Sequence, residues 1–197
     1  MFDSIGRMVT SGKYITTSGY DLSANTIGPF SNVKFIPFDV QDDCIIDRIG
    51  CYITAWTSDA GFSAPLQFGI YNFDRGEFSD NSKLLASATV DILSLVAPFI
   101  AEAVFSQHLV RGMYLLGIGI PEGGVATVTL RALNIFKLHF TPYFKKSTAL
   151  ATVEISYYSY ISGGLYQPLP PTLLVTSPAV LTEETGTSIP MIFARVA

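Results

Sequence analysis

The sequence predicts an all-β protein, a two-sheet antiparallel β-sandwich or jelly roll with an extended N-terminal arm. Apolar residues recur with a period of two along most of the chain, as they do in half-buried strands. Clusters of Gly, Pro, Asn, Asp and Ser separate the short apolar runs, which is typical of a sandwich. Helix is scarce. Its best candidate, residues 92–105, contains Ser94 and has Pro98 in its middle, so we interpret residues 93–107 as a mixed segment.

The alternation is clearest in residues 44–56, which read CIIDRIGCYITAW. Cys51 and Ile53 fall on one face of this run, whereas Tyr52 falls on the other. One face is therefore expected to pack on a core. Residues 113–120, MYLLGIGI, are instead apolar on both faces, which is typical of a central strand covered on both sides.

The predicted strands form one domain, residues 31–197, which follows an arm made of residues 1–30. The arm is rich in Ser, Thr and Gly and shows little periodicity. Residues 163–178 carry four prolines, so they should cross the surface as an extended connection rather than form a central strand. The other predicted strands are residues 65–73, 83–92, 125–130, 135–140, 153–160 and 189–196.

Single residues within these strands predict particular kinds of packing. Asp47 and Arg48 are neighbours at the start of a strand and could form a local ion pair. Gly69 lies inside a strand, which indicates a close approach of another part of the chain. Tyr71 and Tyr114 are expected to bury their rings while their hydroxyls keep a hydrogen-bond partner.

The chain is poor in charged residues. Asp, Glu, Lys and Arg make up 14% of its 197 residues, compared with roughly 25% in an average globular chain. Such a surface is expected to be covered by copies of the same chain or by a larger assembly. The net charge of −4 argues against nucleic-acid binding, because neutralising phosphates requires clustered Lys and Arg.

Neither a membrane segment nor a disulfide framework is expected. The longest apolar stretch, residues 92–101, is well short of the about 20 residues that a spanning helix needs. Asp3 and Arg7 interrupt any signal-peptide segment at the N-terminus. Cys44 and Cys51 lack the spacing of a metal or redox motif, so we interpret them as buried thiols of a chain made in a reducing compartment.

Residues that could carry catalysis are few. His108 and His139 lie in neither an HxH nor an HExxH spacing, which disfavours metal-dependent enzymes that share the jelly-roll fold. We interpret His139 as a structural histidine within a strand rather than a general base. Nucleophile-elbow and phosphate-loop motifs are absent from the sequence. We therefore expect no enzymatic activity and no cofactor, with paired carboxylates for glycoside hydrolysis left open.

Acidic residues cluster in two places, where their oxygens could hold Ca²⁺. In both places a solvated turn is the favoured interpretation, and a calcium site is the alternative. The first cluster surrounds the start of the strand at residues 44–56. The second lies in the hairpin loop between the predicted strands at residues 65–73 and 83–92. The clusters are Asp39, Asp42, Asp43 and Asp47, and Asp74, Glu77, Asp80 and Asn81.

Two regions are candidate interaction surfaces. In the first, tyrosines alternate along a predicted strand, so that Tyr158 and Tyr160 share one face and Tyr157 occupies the other. Exposed tyrosines anchor subunit interfaces, which we favour here, and they also stack on sugar rings, which is the alternative. This surface continues with Tyr166 and Gln167. The second region is the arm, which we expect to lie across a neighbouring subunit. Its candidate contact residues are Phe2, Ile5, Tyr14 and Tyr20.

Five successive segments carry a distinctive series of motifs. They are FIPFDV (35–40), IIDRIGCYIT (45–54), LQFGIYNFDRG (66–76), KLLASATVDI (83–92) and GMYLLGIGI (112–120). This succession resembles a family of bacteriophage virion proteins that carry jelly-roll domains on heads, tails and tail fibres. The resemblance covers roughly residues 33–120, and the last residues, 189–197, are also similar to the way such chains end. It departs before Leu84, where FSDNSK replaces the usual Gly-x-Pro.

The resemblance implies a non-enzymatic structural protein, made in the host cytoplasm and located at the virion surface. Since the chain shows no shaft and no coiled coil, we expect a capsid decoration or cement protein that assembles as a homotrimer and stabilises the shell. Its expected partners are copies of itself and the major capsid protein or tail proteins. The alternative is a tail or tail-fibre module that recognises a host surface glycan, and an enzyme on the same fold comes third.

Overall fold

The computed structural model consists of antiparallel strands and turns. It describes residues 12, 14–16, 26–30, 32–58, 63–73, 82–121, 125–134, 144–146, 153–161, 168–173, 180–186 and 188–197. Within these ranges every regular element is a strand. In the part of the chain that is described, no helix has the length and apolar character needed to cross a bilayer.

The described residues form fifteen strands. They are β1 (Tyr14–Thr16), β2 (Thr26–Phe30), β3 (Val33–Val40), β4 (Cys44–Ser58), β5 (Pro65–Asn72), β6 (Ser82–Asp91), β7 (Phe99–Leu109), β8 (Gly112–Gly119), β9 (Val125–Asn134), β10 (Phe144–Lys146), β11 (Val153–Ile161), β12 (Thr172–Leu173), β13 (Val180–Gly186), β14 (Ser188–Pro190) and β15 (Ile192–Val196).

The strands form two antiparallel sheets, which confirms the predicted all-β class. The seven-stranded sheet has the order β1-β15-β4-β9-β14, with β2 added on β9 and β7 on β4. The eight-stranded sheet has the order β10-β11-β3-β8-β5-β6-β12, with β13 added on β11. The two strands described within residues 1–30 belong to the seven-stranded sheet, since β1 pairs with β15 and β2 pairs with β9. The jelly-roll topology and the extended arm stay predictions.

The long strand β4 organises the seven-stranded sheet. Residues 46–51 pair with β15 and residues 44–53 pair with β7, so these two strands lie on opposite edges of β4. The last part of β4 continues beyond both partners and pairs with β9. Its register shifts next to Asp47 against both neighbours. Such irregularities increase the local twist of a sheet, and one of the two sheets curls into a half-barrel.

The two sheets enclose a common apolar core. Residues of β4 that alternate along the strand point into it, including both cysteines, which are buried and free. The interpretation of Cys44 and Cys51 as buried thiols within a strand is therefore confirmed. The opposite side of the core comes from the eight-stranded sheet, mainly from β3, β5 and β8. Fully buried core residues include Ile46, Ile49, Ile53, Phe68, Ile70, Leu116 and Ile118.

A second apolar cluster covers the side of the eight-stranded sheet that is turned away from the core. Phe35, Tyr71 and Leu115 project to this side of the sheet, where Leu169 and Leu173 pack against them. We call residues 168–173 the strap, because this proline-rich segment crosses that side of the eight-stranded sheet and ends in the short edge strand β12. The predicted surface connection is confirmed for these residues. Strand β8 lies between β3 and β5 with both faces buried, as its sequence predicts.

The strap is held by close packing and by hydrogen bonds. A Cβ atom at Gly69 would lie 2.6 Å from a methyl carbon of Leu169, so the close approach predicted at this glycine is confirmed. The Tyr71 hydroxyl donates to the carbonyl oxygen of Pro170 at 2.5 Å. The backbone N–H of Leu169 donates to the Gln67 side chain at 2.9 Å. These bonds satisfy polar groups that the strap would otherwise bury without partners.

The segment interpreted as mixed contains a regular strand. Residues 93–98 form the turn, and the eleven residues of β7 follow it. Alternate residues of β7, among them Ala101 and Ala103, are buried in the core. The residues between them include the exposed Ile100 and Val104, so both faces of the strand are partly apolar. The usual alternation of apolar and polar residues is therefore masked in the sequence.

Candidate functional site

The predicted tyrosine surface falls on an interior strand. Tyr158 and Tyr160 lie in β11, which pairs with β3 on one edge and with β13 on the other. Their Cα atoms are opposite Phe35 and Val33 of β3. The side chains of β11 lie outside the described residues, as do Tyr166 and Gln167. The choice between a subunit interface and a glycan site at this surface stays a prediction.

The predicted contact residues of the arm are described only in part. Tyr14 lies in β1, and its Cα is opposite Arg195 of β15. Phe2, Ile5 and Tyr20 lie outside the described residues. The proposed role of the arm in assembly stays a prediction.

The first acidic cluster is dispersed by separate interactions. The Asp43 carboxylate accepts a hydrogen bond from the backbone N–H of Arg111 at 2.9 Å, which links the turn before β4 to the turn between β7 and β8. Asp39 accepts one from the Gln41 side chain. In the described ranges, no three acidic, histidine or cysteine side chains come together as a metal site would require. The second cluster, residues 74–81, and His139 lie outside those ranges.

The predicted ion pair between Asp47 and Arg48 is wrong in its partners. Asp47 instead binds Arg195 of β15, whose Nε donates to the carboxylate at 2.8 Å and whose Nη2 donates to its second oxygen. Arg48 turns to the other edge of β4 and binds Glu102 of β7 at 3.4 Å. The irregularity at Asp47 leaves both side chains outside the core, but Asp47 lies toward β15 and Arg48 toward β7, because the partners of each come from the adjacent strand.

These ion pairs lie on the side of the seven-stranded sheet that is turned away from the core. We call this side, along β15, β4 and β7, the outer face. The two-point hydrogen bond from Arg195 lowers the pKa of Asp47 below its ordinary value of 3.8. Nearby, the Arg131 guanidinium lies 5.3 Å from the centre of the Tyr52 ring, within the range of a cation–π contact. The charges of the outer face are therefore mostly satisfied within the chain.

A glycine and a phenylalanine bring the strands of the outer face close together. Phe193 is only 6% exposed although it lies on the side of β15 opposite the core. Its ring covers Gly50, where a Cβ atom would be 2.9 Å from the ring and 2.5 Å from the carbonyl oxygen of Ala101. A side chain at position 50 is therefore excluded by the backbone of β7.

Exposed aliphatic side chains surround these pairs. On β7, Ile100 is 55% exposed and Val104 is 70% exposed. Ile45 on β4 and Val110, directly after β7, are also about half exposed. An arrangement of paired charges and accessible aliphatic side chains suits contact with another protein, because little charge has to be stripped of water there.

Buried thiols add no reactive group to this face. Burial raises the pKa of Cys51, and burial together with the nearby Asp43 and Asp42 raises the pKa of Cys44. Both thiols therefore stay protonated at neutral pH, which makes them poor nucleophiles.

Comparisons with protein-family models, curated proteins and solved structures give no match for this chain.

Sequence reasoning did not find the outer face. Its ion pairs join residues far apart in the chain, since Asp47 and Arg195 are separated by 148 positions. One signal was available, namely the small or apolar residues at 101, 103, 105 and 109, an alternation that only Gln107 interrupts. Ile100 and Val104 hid this signal because an apolar residue at an outward position resembles a core residue.

Proposed function

We propose that this chain is a non-enzymatic structural subunit of a bacteriophage virion, working as one of many copies in a larger assembly. The observation that carries the proposal is the outer face, where charged side chains bind one another and aliphatic side chains stay accessible. A monomer in free solution normally presents unpaired charges to water instead. The low overall charge of the sequence fits the same role.

The motif series supports the virion setting. Within the described residues its five segments lie mainly on β3, β4, β5, β6 and β8, whereas residues 74–76 of the third segment lie outside the described residues. Four of these strands are neighbours in the eight-stranded sheet, in the order β3-β8-β5-β6. Motifs on the strands of a sheet are typical of residues that build the fold rather than of residues that form a catalytic site in loops. We therefore propose a jelly-roll subunit that decorates a capsid, as a homotrimer on the shell, with the major capsid protein as its partner.

Labelling of virions tests this proposal most directly. Phage particles from the source of the chain would be incubated with an antibody against it and viewed by electron microscopy. We expect label over the capsid, and we expect particles that lack the chain to lose resistance to heat and low salt. Label at the tail, together with loss of adsorption, would favour the glycan-binding module instead. Absence of label from every particle would overturn the virion assignment.

A further inference from the structure

Strand β7 is an edge strand in the described part of the chain. It pairs with β4 along one edge, and in the described residues its other edge forms no strand pairing. The preceding strand, β6, belongs to the other sheet. An edge strand of eleven residues is a template for another strand, and along it the Gln107 side chain donates to the backbone carbonyl of His108 at 2.8 Å.

The side chains that β7 presents on the outer face follow an unusual order. The first and last of these side chains are aliphatic. A glutamate follows the first, a histidine precedes the last, and a valine and a serine lie between them. In sequence they are Ile100, Glu102, Val104, Ser106, His108 and Val110, the last one directly after the strand. All except Glu102 are exposed.

This order is complementary to itself when it is read in reverse. We propose that β7 pairs antiparallel with β7 of a second copy of this chain, across a two-fold axis that passes beside Phe105. In this register Ile100 lies opposite the second copy's Val110, and Glu102 lies opposite the second copy's His108. Such a two-fold contact uses one surface patch twice, so every favourable pair occurs two times.

The register follows from charge complementarity. Directly opposite side chains in an antiparallel pair have Cβ atoms about 5 Å apart, so the His108 ring can donate a hydrogen bond to the Glu102 carboxylate in this register. A shift by one step in either direction would place Glu102 opposite Ser106 or Val110 instead. The register centred on Glu102 would bring two carboxylates together, which is unfavourable.

An irregularity of β7 lies at the proposed axis. The register between β7 and β4 shifts between Val104 and Gln107, which adds local twist. The proposed pairing places its two equivalent ladders on either side of this point. Residues 100–104 of each copy lie along residues 106–110 of the other, so the pairing does not require a regular strand through the axis.

The two-fold contact goes beyond the proposed function, which names an assembly but not a contact. It is also distinct from a three-fold contact within a trimer, and it would join two trimers or two free subunits. The inference rests on the proposed function only for its biological setting. Experiments on the purified chain test the pairing alone, whereas labelling of virions tests the setting, so the two can fail separately.

The first test is the oligomeric state of the purified full chain. Sedimentation velocity over a wide concentration range should show a monomer–dimer equilibrium. Val104→Lys should weaken the dimer at least about tenfold, because a charge at the centre of an edge opposes pairing. The matched control is Val96→Lys, since Val96 is 87% exposed and lies in the turn before β7. Circular dichroism would verify that both variants are folded.

The second test fixes the register. In the double variant Val104→Cys with Ser106→Cys, the introduced thiols of the two copies are directly opposite, so oxidation should give a covalent dimer linked between positions 104 and 106. Each single variant should cross-link poorly. His108→Glu should weaken the dimer and His108→Gln should preserve it, because glutamine keeps an N–H donor for Glu102.

Two results would overturn the inference. The first is a wild-type chain that stays monomeric at every concentration. The second is a dimer that is affected equally by Val104→Lys and Val96→Lys, or whose cross-links form equally well in the single and double cysteine variants. A dimer that passes these tests while virions carry no label would leave the pairing intact and remove only the proposed setting.

Discussion

The two sheets differ in what covers the side that is turned away from the core. On the eight-stranded sheet, Phe35, Tyr71 and Leu115 are covered by a segment of the same chain, and the strap closes over them. On the seven-stranded sheet, ion pairs and a buried phenylalanine occupy the centre while Ile100 and Val104 stay exposed at the edge. Within the described residues, the chain covers one face by itself and keeps aliphatic side chains of the other exposed.

This difference indicates which side chains stabilise the folded chain and which can contribute only to association with another protein. A covered apolar side chain contributes to folding because it leaves water when the chain folds. An exposed side chain such as Val104 contributes little to folding and can contribute only when a partner covers it. Substitutions on the strap side should therefore change stability, and substitutions at the β7 edge should change association.

The largest expected effect comes from opening the covered face. Leu169→Ala removes a side chain that is 5% exposed and packs on the second apolar cluster. We expect a loss of about 3 kcal/mol in the free energy of unfolding, from the lost burial and the cavity left behind. Urea denaturation would measure it, and the dye ANS should bind the opened face. The matched control, Val104→Ala, should change stability by less than about 0.5 kcal/mol. Equal losses from both variants would contradict the comparison.

A smaller effect is expected from adding one methyl group to a glycine on each face. At Gly50 the added carbon would meet the backbone carbonyl of Ala101 at 2.5 Å, which cannot move without separating β4 from β7. At Gly117 it would meet the Phe35 ring at 2.8 Å and a methyl group of Leu169 at 3.0 Å, both of which are side-chain atoms that can shift. We expect Gly50→Ala to cost about 2 kcal/mol in the free energy of unfolding and Gly117→Ala about 1 kcal/mol.

Thermal unfolding of the two glycine variants would give their order. The measurement is informative because both substitutions are chemically identical and both glycines lie in strands. If Gly117→Ala were the more damaging, the strap would have to be held more rigidly than its packing indicates. The contrast between a rigid outer face and an adjustable strap would then be lost.

Much of the fold could be predicted from the sequence, and the reasons are local. Alternation along residues 44–56 depends on which side of one strand faces the core, and this needs no knowledge of the partner strands. The prolines of the strap exclude a central strand wherever they occur. Tyr71 and Tyr114 were expected to keep hydroxyl partners, and they donate to the carbonyl oxygens of Pro170 and Val110.

The rest could not be predicted because it depends on which strands become neighbours. Asp47 finds Arg195 only because β15 returns from the end of the chain to pair with β4. Glu102 meets Arg48 only because β7 occupies the opposite edge. Strand order depends on the whole chain. The local residue pattern of one sequence does not indicate which distant strands pair with each other. The strand β7 was missed for a different reason, namely that its outward residues are apolar.

The smallest expected effect concerns the paired charges of the outer face. Asp47→Asn removes the two-point ion pair with Arg195, whose side chains are about one quarter exposed. At neutral pH we expect a loss of about 1 kcal/mol in the free energy of unfolding. Asp42→Asn, an exposed carboxylate in the turn before β4, is the matched control and should cost much less.

The pH dependence of this loss identifies its cause. Arg195 lowers the pKa of Asp47 in the folded chain, whereas in the unfolded chain Asp47 keeps its ordinary value of 3.8. The unfolded state therefore binds more protons between these two values, and stability rises with pH there. The difference between wild type and Asp47→Asn should be complete above the ordinary value and should disappear as the pH falls through the folded value. A difference that persists unchanged in acid would mean that Asp47 acts through packing, and the outer face would then be stabilised in the same way as the strap side.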